Sequence, residues 1–77
     1  MAERKLIILT QGHSDPHTAK TACSVIRYRR DEVVAVLDST LVGQDVSESL
    51  GVGQGLTMVS SLAAAPDANC LLIGIAP

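Results

Sequence analysis

Aromatic side chains are nearly missing from this chain: among 77 residues there is one tyrosine, Tyr28, and neither Phe nor Trp. Although 47% of the residues are hydrophobic, the core has to be assembled from Val, Leu, Ile and Ala. Each buried methylene contributes about 0.8 kcal/mol, and small side chains bring few of them. A core of this length rarely supplies more than ~3–5 kcal/mol unaided, so help from a partner is expected. Cysteine is scarce too. Cys23 and Cys70 stand far apart without CxxC spacing, which suits reduced, buried thiols in a cytoplasmic protein better than a disulfide framework. No long apolar run exists: Leu6 to Leu9 near the N-terminus is too short for a signal-peptide core or a membrane span. The expectation is a cytoplasmic protein with no membrane partner.

A basic excess is also lacking. The formal net charge is −2, whereas a nucleic-acid-binding face needs cations to neutralise phosphates. Arg27, Arg29 and Arg30 cluster, but Asp31 and Glu32 follow at once. The group reads as the cationic C-terminal end of a helix, favourable to its macrodipole, and no nucleic-acid partner is expected.

What the chain does contain is a series of short apolar strings: Leu6 to Leu9, Val33 to Leu37, Leu56 to Val59 and Cys70 to Ala76. The first, second and fourth are nearly continuous rather than alternating, as strands of a parallel sheet buried on both faces would be. Between the first two strings, Ala19, Ala22, Cys23 and Ile26 form an apolar stripe at helical spacing. They predict a helix from Pro16 to Tyr28, with Asp15 as N-cap and Pro16 in the first helical position. Cys23 on that stripe reads as core packing. A short helix is expected from Asp45 to Gly51, with Gly51-Val52-Gly53-Gln54-Gly55 as a flexible loop after it. Ser61 is placed to cap one turn through Leu62-Ala63-Ala64-Ala65, closed by Pro66-Asp67.

The order βαβαβαβ predicts residues 1–77 as one small α/β three-layer sandwich, with a four-stranded parallel sheet in the order 3-2-1-4 and helices on both sides. Ligands in such sheets sit beyond the carboxyl ends of the strands where the winding reverses. Gly12 to Asp15 would line one wall of that crevice and Ile75-Ala76-Pro77 the other.

The loop Gly12-His13-Ser14-Asp15, leading into a helix N-terminus, has the geometry of an anion site. Backbone amides and hydroxyls there are the candidate ligand-holding groups, although the Asp15 carboxylate would compete for the same amides. Lys20 and Thr21 suggest a P-loop, in which the lysine reaches the outer phosphate and the hydroxyl holds magnesium. The spacing fails, because Lys20 lies eight residues beyond Gly12 and Ala19 replaces the second glycine. A GxGxxG fingerprint would need glycine at Ser14 and His17. Its acidic element survives: Asp38 ends the second strand where a ribose-binding carboxylate would stand, or else Asp38-Ser39 caps the next turn.

His13-x-Asp15-x-His17 has too few donors for a metal centre. No GxSxG elbow surrounds Ser14 or Thr10. The candidate ligand-binding residues are therefore Gly12, His13, Ser14, Asp15, Lys20, Thr21 and Asp38. No catalytic constellation, metal or defined cofactor follows from the sequence.

Several of these segments carry a family likeness. The stretches Gly12 to Ala22, Val25-Ile26-Arg27-Tyr28, Glu32 to Ser39 and Leu71 to Pro77 resemble the N-terminal part of a bacterial and archaeal family, long of unknown function, that includes D-glutamate N-acetyltransferase-type enzymes. The resemblance spans nearly the whole chain. It implies an N-terminal Rossmann-like domain followed, in family members, by a larger P-loop NTPase-like domain beyond the position of Pro77. Acetyl transfer would depend on that further domain. The matching positions Gly12, Lys20, Thr21 and Asp38 bring no assigned chemical role with them.

Two functional expectations result. One is a free-standing or truncated Rossmann-like domain that binds a small anionic ligand or nucleotide moiety without catalysis of its own. The alternative is a structural module that forms a homo-oligomer or pairs with a P-loop-containing partner domain, for which an uncovered edge strand would serve.

Overall fold

A computed structural model describes residues 4–75. Four strands, β1 (Leu6–Leu9), β2 (Val33–Leu37), β3 (Met58–Val59) and β4 (Cys70–Ile73), form one parallel sheet in the order β3-β2-β1-β4. The expected α/β class and strand order are both present. Helix α1 (Lys20–Tyr28) connects β1 to β2, and α2 (Ser47–Leu50) lies between β2 and β3. No helix among the described residues is long and apolar enough to cross a membrane.

Both helices pack on the same face of the sheet. Leu6, Ile8, Val33 and Val36 from the strands meet Ala19, Ala22 and Ile26 beside α1 and Val46 and Leu50 beside α2. The opposite face carries Ile7, Ala35 and Val59, packed against Leu37, Ala65 and Ala68. There the crossover from β3 to β4 contributes a single 3-10 turn, Leu62–Ala64, so the third layer is thin. Ser61 precedes this turn without a side-chain cap; its carbonyl accepts from the Ala64 amide at 3.2 Å.

That thin layer explains a departure in β4. Its uninterrupted Cys-Leu-Leu-Ile string predicts burial on both faces, yet Cys70 and Leu72 are half-buried on the helical side while Leu71 and Ile73 are 51% and 56% exposed on the other. Ala65 and Ala68, which follow the turn, reach the cluster of Ile7, Ala35 and Val59, while Leu71 and Ile73 on β4 stay exposed.

Helix α1 begins at Lys20, not at Pro16. Asp15 does cap a turn, its Oδ1 accepting from the amides of His17 at 3.0 Å and Thr18 at 2.8 Å. The regular ladder starts later because the Ala22 amide donates to the Gly74 carbonyl at 3.0 Å, across the sheet layer, and not to its own preceding turn. The close approach needs Gly74: a Cβ there would lie 2.5 Å from Ile8 Cγ2 and 2.8 Å from Ala22 Cβ.

Helix α2 ends as its sequence predicts, with Gly51 in the left-handed region at φ 76°. The glycine-rich stretch after it is tied down, contrary to the flexible loop expected. Gly53 is buried against Val46, Ile26 and Leu56, the Gly55 amide donates to Asp45 Oδ1 at 2.9 Å, and Arg30 Nη2 donates to the Gln54 carbonyl at 3.1 Å. Arg29 pairs with Glu32, as Arg4 does, so with Arg30 on the Gln54 carbonyl two of the three clustered arginines are held by their own chain.

The two edges of the sheet differ. Outside β3 the chain folds back on itself: the Gly43 amide donates to the Met58 carbonyl and the Met58 amide to the Gln44 carbonyl, both at 2.9 Å, beside an antiparallel bridge between Asp45 and Thr57. β4 has β1 on one side and no described strand on the other.

Candidate functional site

At the carboxyl ends of β1 and β2 the chain leaves the sheet through Thr10 and Asp38, the two buried polar residues among those described. A buried carboxylate costs free energy unless its oxygens are hydrogen-bonded. Here each oxygen is engaged. Ser14 Oγ donates to Asp38 Oδ2 at 2.5 Å, and Thr10 Oγ1 lies 2.6 Å from Ser14 Oγ. With the serine proton directed to the carboxylate, Thr10 supplies the proton between the two hydroxyls. Asp38 Oδ1 accepts from the Thr40 amide at 3.0 Å and the Thr40 hydroxyl at 2.6 Å.

Burial alone would raise the Asp38 carboxyl. Hydrogen bonds from Ser14, from both donors of Thr40 and from the Gly12 amide outweigh it and hold the carboxyl below its ordinary value of 3.8. Gln11 adds a second clasp between the same loops. Its Nε2 donates to Ser39 Oγ and its Oε1 accepts from the Ser39 amide, both at 2.7 Å.

The structure therefore gathers Gly12, Ser14 and Asp38 into one network. Gly12 provides the left-handed turn, at φ 74°, that brings the loop back over the strand end. Asp38 occupies the place a ribose-binding carboxylate would take, and it also caps the 3-10 turn Ser39–Leu41 through Thr40. Its oxygens face the chain's own donors. Asp15 is exposed and its carboxylate holds the amides that an anion would use; those bonds, with that from Thr18 the largest, keep its carboxyl below the usual range. His13 is exposed, with its amide bonded to the Thr10 carbonyl at 2.8 Å. Lys20 and Thr21 are exposed on the first turn of α1 and take no part in the network. Among the described residues there is no group of three or more metal-ligating side chains.

Sequence reasoning missed Thr10, Gln11 and Thr40 as members of this cluster. The available signal was positional: a polar side chain directly follows each of the two central strands, Thr10-Gln11 after Leu9 and Asp38-Ser39-Thr40 after Leu37. Of the opposite crevice wall, Ile75 is half-buried beside the α1 core. Ala76 and Pro77 lie outside the described residues.

No family model matches the chain, and no curated protein matches it. Among solved structures it is similar to a DUF1611 family protein from Anabaena variabilis ATCC 29413, at 31% sequence identity and a TM-score of 0.80. The likeness covers 97% of this chain and 22% of that one, so the chain spans about a fifth of its neighbour's length.

Proposed function

We propose that this chain is a Rossmann-like interaction module of the DUF1611 type, whose working surface is the bare flank of β4. The observation that carries this reading is the exposure of Leu71 and Ile73 on an uncovered sheet face, beside a strand edge with no described partner. Large apolar side chains exposed together mark surfaces that another polypeptide covers. The loops at the strand ends favour the same reading, since the carboxylates of Asp38 and Asp15 already hold the hydroxyls and amides nearest to them. The structural likeness extends over nearly all of this chain but a minor part of its neighbour, in keeping with a module that works within a larger assembly.

Binding of an environment-sensitive apolar dye tests this reading. Dye should bind the chain, and Leu71→Ser with Ile73→Ser should remove most of that binding. Unchanged dye binding in the double variant would remove the basis for the proposal. So would a melting temperature raised by a nucleotide or acyl-CoA and returned to its starting value by Lys20→Ala, which would shift the function to the loops and to a small anionic ligand.

A further inference from the structure

The segment from Pro16 to Tyr28 holds the parts of one continuous helix, yet its ladder is broken in the middle. Asp15 Oδ1 accepts from the amides of His17 and Thr18 as an N-cap does, and the Ala19 amide donates to the Asp15 carbonyl at 2.9 Å. Beyond the break, the Cys23 amide donates to the Ala19 carbonyl at 3.0 Å. Among the described residues, neither the Lys20 nor the Thr21 amide bonds to the carbonyl four residues before it, and the Ala22 amide goes to Gly74. The interruption shows in the backbone of Ala19, at φ −103° and ψ 44°, where a helix has ψ of about −42°. Alanine is the strongest helix former, so its side chain does not ask for this conformation.

From this geometry we infer that Ala19 is a hinge between two states of the chain, and that the seating of Gly74 against Ala22 selects between them. In one state the turn from Asp15 to Ala19 stands apart from α1; in the other it joins α1 as a continuous helix from Pro16 to Tyr28. Joining gains the bonds from Lys20 to Pro16, Thr21 to His17 and Ala22 to Thr18, and gives up the bond from Ala22 to Gly74. Tertiary contact holds the interrupted state. Gly74 sits so close to Ile8 and Ala22 that a methyl group would not fit, and Ala19 and Ala22 are fully buried.

The turn is the anchored side of the hinge. Ser14, which precedes Asp15, donates to Asp38 Oδ2 and ties the turn to the end of β2, so α1 is the part that swings about Ala19. The device converts a displacement of the end of β4 into a lengthening of α1. It acts whatever covers the β4 flank.

Two variants, followed by amide hydrogen exchange and far-UV circular dichroism, test the hinge. Lys20→Pro puts proline in the first position of α1, where a missing N–H costs little if the ladder is broken, and its ring disfavours a helical Ala19. That variant should fold with a melting temperature close to wild type, whereas a helix already continuous in solution would be disrupted by it. Gly74→Ala pushes Ala22 off β4. Although this chain is less stable overall, its helical ellipticity should rise, and the Lys20 and Thr21 amides should exchange more slowly by roughly fivefold or more, as one new hydrogen bond each allows. Combining the two variants should cost more stability than the single losses predict, because the joined helix is then closed to the chain. A Lys20→Pro chain that does not fold overturns the hinge, as do strictly additive losses, or Lys20 and Thr21 amides that exchange faster in Gly74→Ala. If Gly74→Ala does not fold, NMR relaxation dispersion on the wild-type chain decides. A minor state at Ala19 to Ala22 that Lys20→Pro abolishes supports the hinge, and flat profiles there overturn it.

Discussion

Substituting Gly74 by alanine puts the contact between β4, β1 and α1 under direct strain. The new methyl would stand 2.5 Å from Ile8 Cγ2, 2.8 Å from Ala22 Cβ and 3.3 Å from Ala22 Cα. Real Cβ atoms essentially never approach within 3.0 Å, as the first two contacts would, and all three atoms belong to the buried residues Ile8 and Ala22. Relief requires α1 to move off the sheet. That motion stretches the 3.0 Å bond from the Ala22 amide to the Gly74 carbonyl and opens the core around Ile26. Overpacking of this kind costs about 1–3 kcal/mol, a large share of the ~3–5 kcal/mol a domain this small can hold. Thermal unfolding followed by circular dichroism should show a fall of roughly 8–16 °C if the cost is near 2 kcal/mol. Ala22→Gly alone should cost about 1 kcal/mol through helix propensity. Because it removes one of the clashing atoms, the double variant should be more stable than the sum of the two losses predicts. A Gly74→Ala chain within about 0.5 kcal/mol of wild type, or strictly additive losses, would refute the close-approach argument.

Asp38→Asn should destabilise the chain by about 2 kcal/mol in urea titrations, since it weakens charge-assisted bonds from Ser14 and Thr40; unchanged stability would mean the network is not formed. Asp15, Asp38 and Asp45 all titrate lower in the folded chain than their ordinary value of 3.8, so the unfolded state takes up protons first as pH falls. Their stabilisation is complete above the ordinary carboxylate range and is lost as pH drops through the folded values; a urea midpoint that rises on acidification below pH ~4 would contradict this. Gly53→Ala should cost roughly 1–3 kcal/mol, because its φ is 93° and the added methyl would meet Val46 Cγ1 at 3.0 Å. Gly12→Ala meets no neighbouring atom and carries only the left-handed backbone penalty, about 1 kcal/mol, so equal losses at the two glycines would count against a packed Gly51 to Gly55 loop.

The central strands were legible because nothing distant alters them. Val33 to Leu37 and Leu6 to Leu9 read as continuous apolar strings, and both lie in the middle of the sheet. Gly51 closed α2 for a local reason, its left-handed backbone. The misreadings share a different origin. Asp15 and Pro16 satisfy every local rule for a helix start, but the distant Gly74 carbonyl takes the Ala22 amide and the helix begins at Lys20. The β4 string looks buried on both sides, yet its exposure depends on how far the segment around Ala65 and Ala68 extends over the sheet, which no periodicity records. In the site, Asp38 stood out as a carboxylate at a strand end, and Gly12 and Ser14 as loop residues. Thr10, Gln11 and Thr40 are common residue types without a motif, and they gain meaning only when β1 and β2 are aligned side by side.

Hydrogen exchange at individual amides addresses the working surface most directly. Leu71 and Ile73 direct their amides away from β1, so in a dilute monomer they should exchange as fast as exposed loop amides, while Leu72 remains protected by the sheet. Exchange at Leu71 and Ile73 as slow as that at Leu72 would contradict a working surface with an open β4 edge.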